Sequence, residues 1–394
     1  RIGPKMRIPA RRALFAAAFL SYLNAVSCGI KGLAPLLAKE APASFEEKTL
    51  DMYQGQKIAI DASMAMYQFL IAVRPLDSSG VAIGLHDKDG NDTSHLLGFF
   101  WRTIAMVKAG IRPLYVFDGK PPQLKAGEIA NRNQKRAEGK RIFEEAKAEG
   151  DVELMNKMSK RTTRATKVHK EECQRLLALM GVPTLDAPCE AEAQCAELTK
   201  RGVVHAVATE DMDALCCGAT VLVRRLTMSE ARKLPIQEFQ VEKVLKGLNI
   251  TMDAFVDLCL LCGSDFCESI KGIGPKTALS LIRKHGDLSS AIAALDQTKH
   301  PLPDFFPYEE ARKLLRHPEV TSEVSVDWNL KADEDGVVNF LCNEKGFSEA
   351  RVRGGLAGLK KARSVHGVPQ SRLESFFKPP PPEVEPEAKA GGGG

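Results

Sequence analysis

Short apolar runs, separated by segments with helical spacing, dominate the first part of the chain. Each run is rich in Val, Ile, Leu, Ala or Phe, and each is too short to form a typical helix. We interpret them as buried strands, which fall at residues 57–60, 113–117, 203–209 and about 221–226. Strands that alternate with helices predict an α/β fold with a mostly parallel central sheet and helices on both faces.

The helical segments differ in how much apolar surface they offer. The pattern predicts a helix from Ser94 to Lys108, which Gly110 ends, and a chain that is helical from Ile236 onward. Residues 123–180 also have helical composition, but most of this segment lacks a sustained apolar stripe. Because a helix that is polar on most faces cannot be buried, we predict a helical arch over residues 123–167 that projects above the carboxyl edge of the sheet.

Composition places the chain among ordinary globular proteins. It has 394 residues, of which 44% are hydrophobic and 27% charged, and its net charge is +5. Basic residues concentrate between Lys120 and Lys170, where 14 Lys and Arg stand against 7 Asp and Glu. A charge run is usually a solvated helix face, so this excess alone does not establish nucleic-acid binding.

The ten cysteines form no zinc-binding pattern, and their scatter favours a reducing compartment. The first 28 residues indicate otherwise, because they combine a basic start, an apolar middle and Ala25-Val-Ser27, which is typical of a signal-peptide cleavage site. Residues 1–28 are therefore either a targeting segment or a start-site artefact. Organelle or secretory-route targeting by residues 6–27 stays open.

Seven carboxylates stand at the ends of predicted strands or helices. They are Asp61, Asp118, Glu190, Glu192, Asp211, Asp213 and Asp265. Open α/β sheets bind their ligands at the carboxyl edge, so these side chains are expected to meet there. No His or Cys joins them, and a donor set made only of oxygens favours a hard cation, Mg²⁺ or Mn²⁺.

The segments around these acids resemble the flap endonucleases, which are eukaryotic structure-specific 5′ nucleases. The resemblance covers about residues 29–377 and is most specific at Ile60-Asp-Ala-Ser63, Tyr115 to Lys125, Asp186 to Ala193, Thr209 to Asp213, and Gly263 to Lys276. It implies a PIN-like 5′ nuclease fold with all seven carboxylates as ligands of two Mg²⁺ ions. The implied activity is 5′ flap endonuclease with associated 5′–3′ exonuclease, in Okazaki fragment maturation and long-patch base excision repair.

The resemblance also assigns basic residues of the predicted arch. Lys125 and Arg132 are seven positions apart, so on a helix they share one face. The resemblance implies that this face points at the scissile phosphate, where the two cations would neutralise developing charge. It further implies DNA contacts by Gly29, Tyr67, Arg74, Arg102, Lys160, Arg161, Arg164 and Lys167, with the ring of Tyr67 stacked on a base. Without the resemblance, Tyr67 would be interpreted as a core residue.

A glycine-rich turn, Gly272-Ile-Gly-Pro-Lys276, precedes a predicted helix. Exposed backbone N–H groups at a helix start can hold a phosphate. The turn resembles the helix–two-turn–helix element of the same family. The resemblance implies that Gly272, Gly274, Lys276 and Thr277 grip the backbone of duplex DNA, with a bound K⁺ near Ser269. Contacts of this kind position DNA without reading its sequence.

The predicted tail contains a short apolar motif. Gln370, Leu373, Phe376 and Phe377 have the spacing of a sliding-clamp-binding box, and a disordered tail offers them no core to join. The expected partners are branched double-stranded DNA with a 5′ flap and a clamp of the proliferating cell nuclear antigen type. We expect a monomer without a membrane partner in its mature form, and the resemblance favours the nucleus.

These features divide the chain into regions. The predicted regions are the leading segment 1–28, an N-terminal nuclease region 29–134, the arch 123–167, an internal nuclease region 168–285 with the helix–two-turn–helix element, a C-terminal helical region 286–363, and a disordered tail 364–394 with the clamp box. The chain departs from the family in two ways. Cys28 precedes the glycine with which family chains normally start, and Glu383, Glu385 and Glu387 replace the usual basic end.

Two other functions fit parts of the pattern. A sibling 5′ exonuclease, excision nuclease or junction nuclease would share the acids, although the excision type has a very long insertion and here Asp118 and Glu190 are only 72 positions apart. A catalytically inactive, clamp-bound DNA-binding scaffold would also share the basic surface. The intact set of acids argues against the scaffold.

Overall fold

A computed structural model describes residues 29–75, 77–228 and 234–366. Its centre is a seven-stranded sheet in the order β1-β7-β6-β5-β2-β3-β4. The strands are β1 (Phe45–Lys48), β2 (Lys57–Asp61), β3 (Arg112–Phe117), β4 (Thr184–Asp186), β5 (Ala206–Ala208), β6 (Val221–Arg224) and β7 (Ile236–Gln240). Strands β2 to β6 pair in parallel, and only β7 and β1 add antiparallel edges. The predicted α/β fold is confirmed.

Helices cover both faces of the sheet. One face packs on α2 (Ala62–Ala72), α3 (Ser94–Lys108), α6 (Lys167–Leu179), α14 (Glu334–Val338) and α15 (Glu349–His366). The other face packs on α1 (Leu33–Glu40), α7 (Ala191–Lys200), α8 (Asp213–Cys216), α9 (Val241–Leu248), α10 (Met252–Cys262), α11 (Pro275–His285), α12 (Leu288–Ala293) and α13 (Tyr308–Arg316). Because successive strand residues point to opposite faces, Leu114 and Val116 enter one core while Tyr115 and Phe117 enter the other.

The predicted arch consists of two helices, α4 (Ala126–Glu149) and α5 (Val152–Thr162). In α4 only Gly139 and Ala146 are buried, as expected for a segment without an apolar stripe. Gly150 turns the chain with φ +73°, and the Asp151 carboxylate then caps α5 by accepting a hydrogen bond from the backbone of Leu154 at 2.9 Å. The arch therefore depends on capping and mutual packing instead of a core.

Two predictions about the strands were wrong. The predicted strand 203–209 is reduced to Ala206–Ala208, because the N–H groups of Val203 and Val204 bond back to the carbonyl of Leu198 and close the preceding helix. Residues from Ile236 onward begin with strand β7 instead of a helix. The buried carboxylate of Glu238 on this strand accepts hydrogen bonds from Lys48 at 2.7 Å and from Tyr53 at 3.0 Å. These bonds stabilise strand β7 between β6 and β1.

Two short strands, β1 and β4, had no signal in the hydrophobic pattern, since neither has a fully buried residue. Short turns of 3₁₀ helix occur at Pro42–Ser44, Leu50–Tyr53 and Gln123–Lys125, and a π-helical turn at Asn339–Glu344. None of the helices in the described ranges is both long and apolar enough to span a bilayer.

Candidate active site

The seven predicted carboxylates lie at the carboxyl edge of the sheet, at the ends of five elements. Asp61 ends β2 and Asp118 follows β3, and register pairs β2 and β3 so that these ends adjoin. Asp211 and Asp213 follow β5, while Glu190 occupies the N-cap position of α7 and Glu192 stands in its first turn. Asp265 follows α10. The fold thus brings together segments that are far apart in sequence.

Electrostatic coupling shows that the acids form one cluster. Glu192 is repelled by Asp61, Asp118 and Asp211. Glu190 is repelled by Asp118 and Asp265, and Asp265 in turn repels Asp213. Every member therefore senses at least one other, so the cluster (the seven residues named above) carries a strongly negative potential.

Hydrogen bonds orient several of these carboxylates. Asp61, only 2% exposed, accepts bonds from the backbone of Met64 at 2.9 Å and from the hydroxyl of Thr209 at 3.0 Å. The same Thr209 oxygen accepts the backbone N–H of Asp211 at 3.2 Å. Asp118 accepts the N–H of Ala191 at 2.8 Å, which links β3 to α7. These bonds link the end of β2 to the end of β5, and the end of β3 to the start of α7.

Burial and mutual repulsion disfavour the charged state of five of these acids. Burial, followed by repulsion from Asp118, raises the pKa of Asp61 to about 7. Burial also raises the pKa values of Asp211, Asp213, Glu190 and Glu192, with further increases from neighbouring carboxylates. Without cations the cluster is electrostatically unfavourable, which is the expected state of a cation site.

The two predicted catalytic cations lie within the cluster. The ammonium of Lys125 contacts Glu190 and lies 3.3 Å from Asp265. The guanidinium of Arg132 donates to Asp265 at 2.7 Å and to Glu128 at 2.8 Å. Burial acts to lower the pKa of Lys125, but attraction to Glu192 and Glu190 outweighs it and raises this pKa. Lys125 itself belongs to a 3₁₀ turn, so only Arg132 is part of α4.

The donor set fits hard divalent cations. It consists of carboxylate oxygens, and Oδ1 of Asp213 is buried without a hydrogen-bond partner. Across residues 29–75, 77–228 and 234–366, no three His, Cys, Asp or Glu side chains already surround one ion position. Lys125 and Arg132 are drawn onto the same oxygens instead, and both would have to release them when ions bind.

Gly29, a predicted DNA contact, lies against the cluster. It has φ +68°, and a Cβ placed on it would overlap Oδ1 of Asp211 and lie 2.8 Å from Oδ1 of Asp213. Only glycine allows the backbone to come this close in this conformation. The first described residue therefore packs directly on two of the proposed ligands.

The glycine-rich turn is exposed beside α11. Lys271, Gly272, Gly274, Lys276 and Thr277 are all exposed, and Pro275 occupies the first position of the helix. Gly272 has φ +78°, which supports the predicted tight turn. The hydroxyl of the half-buried Ser269, near which K⁺ was expected, accepts a hydrogen bond from the ammonium of Lys31 at 2.8 Å.

The remaining predicted DNA contacts lie elsewhere. Tyr67 on α2 is half-buried, so it is not the core residue that the pattern alone suggested. Arg102 is half-buried on α3 and near enough to Tyr115 to act on its ionisation. Arg74 bonds to the carbonyl of Leu70 and the hydroxyls of Ser159 and Thr163, so these bonds join the end of α2 to the base of the arch.

Four predicted basic contacts surround the end of the second arch helix. Lys160 and Arg161 stand in the last turn of α5, Arg164 follows it, and Lys167 begins α6. Lys167 is largely exposed and pairs with Glu171 at 3.5 Å. The clamp-box residues Gln370, Leu373, Phe376 and Phe377, and residues 1–28, lie outside the described residues.

Sequence reasoning missed three residues that support the site: Thr209, Glu128 and Lys31. Glu128 could have been found, because it precedes Arg132 by four positions on one helix face. Thr209 is the last residue of the predicted strand 203–209 and stands two positions before Asp211, which is a weaker signal. Lys31 has no local pattern, since its partner Ser269 is 238 positions away.

Comparisons with known proteins agree with this geometry. The family described as XPG N-terminal domain matches residues 28–139, and the XPG I-region family matches residues 181–265. In solved structures, the flap endonuclease-1 of Methanococcus jannaschii has a TM-score of 0.63 and 32% identity, covering 82% of this chain and 96% of that one. The catalytic core of Rad2 in complex with DNA substrate has a TM-score of 0.64 and 26% identity, covering 84% and 100%.

Relatives from animals are more similar in sequence. Flap endonuclease 1 of Danio rerio is 52% identical over 351 residues, which are 89% of this chain and 90% of the relative. Flap endonuclease 1 of Nematostella vectensis is 52% identical over 352 residues, which are 89% of this chain and 91% of the relative. Identity of this extent over nearly the whole of both proteins shows that the chain belongs to the flap endonuclease family.

Proposed function

We propose that this protein is a structure-specific 5′ flap endonuclease with an associated 5′–3′ exonuclease activity. The observation that carries the proposal is the cluster of seven carboxylates with Lys125 and Arg132 inserted among them at the base of a helical arch. A phosphodiester is the substrate class that matches a hard-cation site combined with fixed basic side chains. The family assignment supports DNA replication and repair as the setting, in Okazaki fragment maturation and long-patch base excision repair.

The seven carboxylates would hold two Mg²⁺ ions, for which Mn²⁺ could substitute. When bound, the ions would supply an activated water and neutralise charge on the phosphate and the leaving oxygen. Hydrogen bonds to Asp61 and Asp118 keep those carboxylates oriented before any ion binds. Cleavage would leave a 5′-phosphate on one product and a 3′-hydroxyl on the other.

Lys125 and Arg132 would bind and orient the scissile phosphate. Both reach the acids now, so a short movement of each side chain would let them contact a phosphate that lies over the cluster. Tyr67, half-buried on the helix that follows Asp61, would stack on a base near that phosphate. The exposed turn at Gly272–Thr277 would hold duplex backbone on the other side of the site.

Substitution of two ligands tests the site. The double variant Asp211→Asn, Asp213→Asn should lose Mg²⁺-dependent cleavage of a 5′-flap substrate by at least about 10²-fold, because two donors to the ions are weakened. Binding of the same DNA should persist, as measured by fluorescence anisotropy. Asp335→Asn, the same change at a carboxylate that is 96% exposed, is the matched control and should cleave normally. A double variant that cleaves at the full rate refutes the assignment.

A comparison of DNA substrates distinguishes a flap endonuclease from the related excision and junction nucleases. Flap, nicked and four-way DNA should be cleaved with flap DNA preferred. The distance of 72 positions between Asp118 and Glu190 leaves no room for the long insertion of the excision type. Preference for the four-way junction would favour a junction nuclease, and absence of any Mg²⁺-dependent turnover would favour a scaffold.

We also propose a sliding clamp as partner, supported by the spacing of Gln370, Leu373, Phe376 and Phe377. Phe376→Ala, Phe377→Ala should abolish binding to the clamp in calorimetry without altering cleavage of free flap DNA, and unchanged clamp affinity would remove this partner. A nuclear location follows from the family only by analogy. N-terminal sequencing of the native protein would show whether residues 6–27 are retained. Their retention would count against a nuclear location.

A further inference from the structure

The segment from Gly29 to Leu33, the N-terminal connector, joins the acid cluster to the glycine-rich turn. At one end Gly29 packs on Asp211 and Asp213. Two residues later, the backbone N–H of Lys31 donates to the carbonyl of Gly263 at 3.2 Å. A Cβ placed on Gly32 would lie 2.7 Å from Cγ of Pro275, so the connector also packs closely on the start of α11.

The side chain of Lys31 continues this link with a charge. Its ammonium donates to the Ser269 hydroxyl at 2.8 Å, and in the described part of the chain no carboxylate forms an ion pair with it. A neutral hydroxyl leaves the positive charge uncompensated and two of the three ammonium donors unused. Lys31 is exposed, as are Lys271 and Lys276 of the turn, so three ammonium groups share this surface.

The position beside Ser269 is where resemblance implied a K⁺ ion. The structure does not fit an ion there, because the hydroxyl oxygen already receives a monovalent cation from the chain itself. Space around the oxygen is also limited, since the backbone of Gly263, with φ +92°, approaches so closely that a Cβ there would overlap Ser269 Oγ.

We propose that Lys31 is the built-in monovalent cation of the duplex-binding turn, and that it contacts a backbone phosphate of the bound DNA. The inference rests on the proposed function and deepens it. The ammonium of Lys31, held by Ser269 next to exposed backbone N–H groups of the turn, offers a phosphate both a positive charge and hydrogen-bond donors. Duplex binding by this protein then requires no K⁺.

The test measures how DNA affinity depends on salt. Anisotropy titrations with a 5′-flap DNA and with plain duplex, without divalent ions, are run across a series of KCl and of NaCl concentrations. Each phosphate neutralised by a lysine adds about 0.9 to the slope of log affinity against log salt. Lys31→Gln should therefore bind both DNAs several-fold more weakly and reduce the slope by about one. Lys31→Arg, which keeps the charge, should retain most of the affinity and of the slope.

Lys39→Gln is the matched control, because Lys39 is an exposed lysine of the same N-terminal region, in the last turn of α1. It should leave the slope nearly unchanged. The unsubstituted protein should bind equally in KCl and NaCl, and Lys31→Gln should bind better in KCl, since K⁺ can then enter beside Ser269.

An unchanged slope for Lys31→Gln overturns the proposal, and so does a preference of the unsubstituted protein for KCl. Failure of the proposed function has a different signature. In that case flap DNA would bind no better than plain duplex and would not be cleaved, while the effect of Lys31 on the duplex slope could still be measured.

Discussion

At the scale of single residues, the hydroxyl of Thr209 joins two of the proposed ligands. Thr209 is buried, with 5% of its surface exposed. Its hydroxyl donates a hydrogen bond to Asp61 and accepts one from the backbone N–H of Asp211. One oxygen atom thereby fixes the relative positions of ligands from β2 and from the end of β5. Thr209 touches no proposed substrate atom, so we regard it as a positioning residue.

Thr209→Val, which keeps the shape and removes both hydrogen bonds, should weaken binding of Mn²⁺ about 10-fold or more. Calorimetry with Mn²⁺ alone measures this without any turnover. Thr209→Ser retains the hydroxyl and should restore most of the affinity, which a purely structural role for the methyl group would not explain. Equal Mn²⁺ affinity in Thr209→Val and the unsubstituted protein would contradict the positioning role.

Five of the seven acids were predictable because they follow apolar runs, and parallel strands bring their ends to one edge; Glu190 and Glu192 follow no such run. The partners of those acids were not. Whether a hydroxyl such as that of Thr209 bonds to Asp61 depends on a rotamer and on the register of β2 with β5. Likewise, no sequence pattern indicated that Arg74, at the end of α2, bonds to two hydroxyls at the base of the arch.

At the scale of elements, Lys345 attaches the C-terminal helical region to the nuclease region. This lysine follows the π-helical turn and lies 2.5 Å from Glu172 on α6 and 3.5 Å from Asp87 in the loop before α3. Glu172 also bonds to the buried His95 at 2.9 Å. Three elements that are distant in sequence thus meet at one partly buried cation.

The hydrogen bond from the backbone N–H of Asn91 is the main reason why the pKa of Asp87 is lowered to about 2, and Lys345 contributes to it. Burial acts to raise the pKa of Glu172, but bonds from His95 and Lys345 outweigh it and lower this pKa. Carboxyls with lowered pKa values stabilise the fold above their unfolded pKa near 4, and this stabilisation is lost as the pH falls toward 2.

Lys345→Met should therefore lower Tm by about 2–6 °C at neutral pH and flatten the decrease of Tm below pH 4–5. Thermal unfolding followed by circular dichroism measures both effects. Lys360→Met, at an exposed lysine of the same region, is the control and should change Tm little. If the Tm of Lys345→Met decreased at low pH as steeply as that of the unsubstituted protein, Lys345 would not be the residue that attaches the C-terminal helical region.

The long elements were predictable and the short ones were not. The pattern predicted α3 at its observed bounds, because a strong apolar face and Gly110 mark it. Strand β7 was mistaken for a helix because two of its buried residues, Gln237 and Glu238, are polar. Its stability comes from pairing with β6 and β1, which no local pattern records.

At the scale of the whole molecule, the fold concentrates acidic side chains at one edge of the sheet and brings Lys125 and Arg132 into contact with them. The raised pKa of Asp61, about 7, means that its metal-free folded state holds a proton that the unfolded chain has already lost. The stability from this group is present at low pH and lost as the pH rises through about 7. Bound cations would reverse that loss.

Mg²⁺ should accordingly raise Tm, and by more at pH 8 than at pH 6, because ions bind the charged carboxylates. Differential scanning fluorimetry with EDTA or with Mg²⁺ at both pH values tests this. Asp61→Asn should show a smaller pH difference, since it cannot ionise. A larger Mg²⁺ effect at pH 6 would contradict the electrostatic account.

The close contact of Gly29 with Asp211 and Asp213 has a practical consequence for anyone who prepares this protein. Any residues kept ahead of Gly29 must leave the fold from a point in contact with these two carboxylates, so a cleavage scar or affinity tag there would be their steric neighbour. Specific activity should therefore be compared between a form that begins at Gly29 and one that retains residues 1–28.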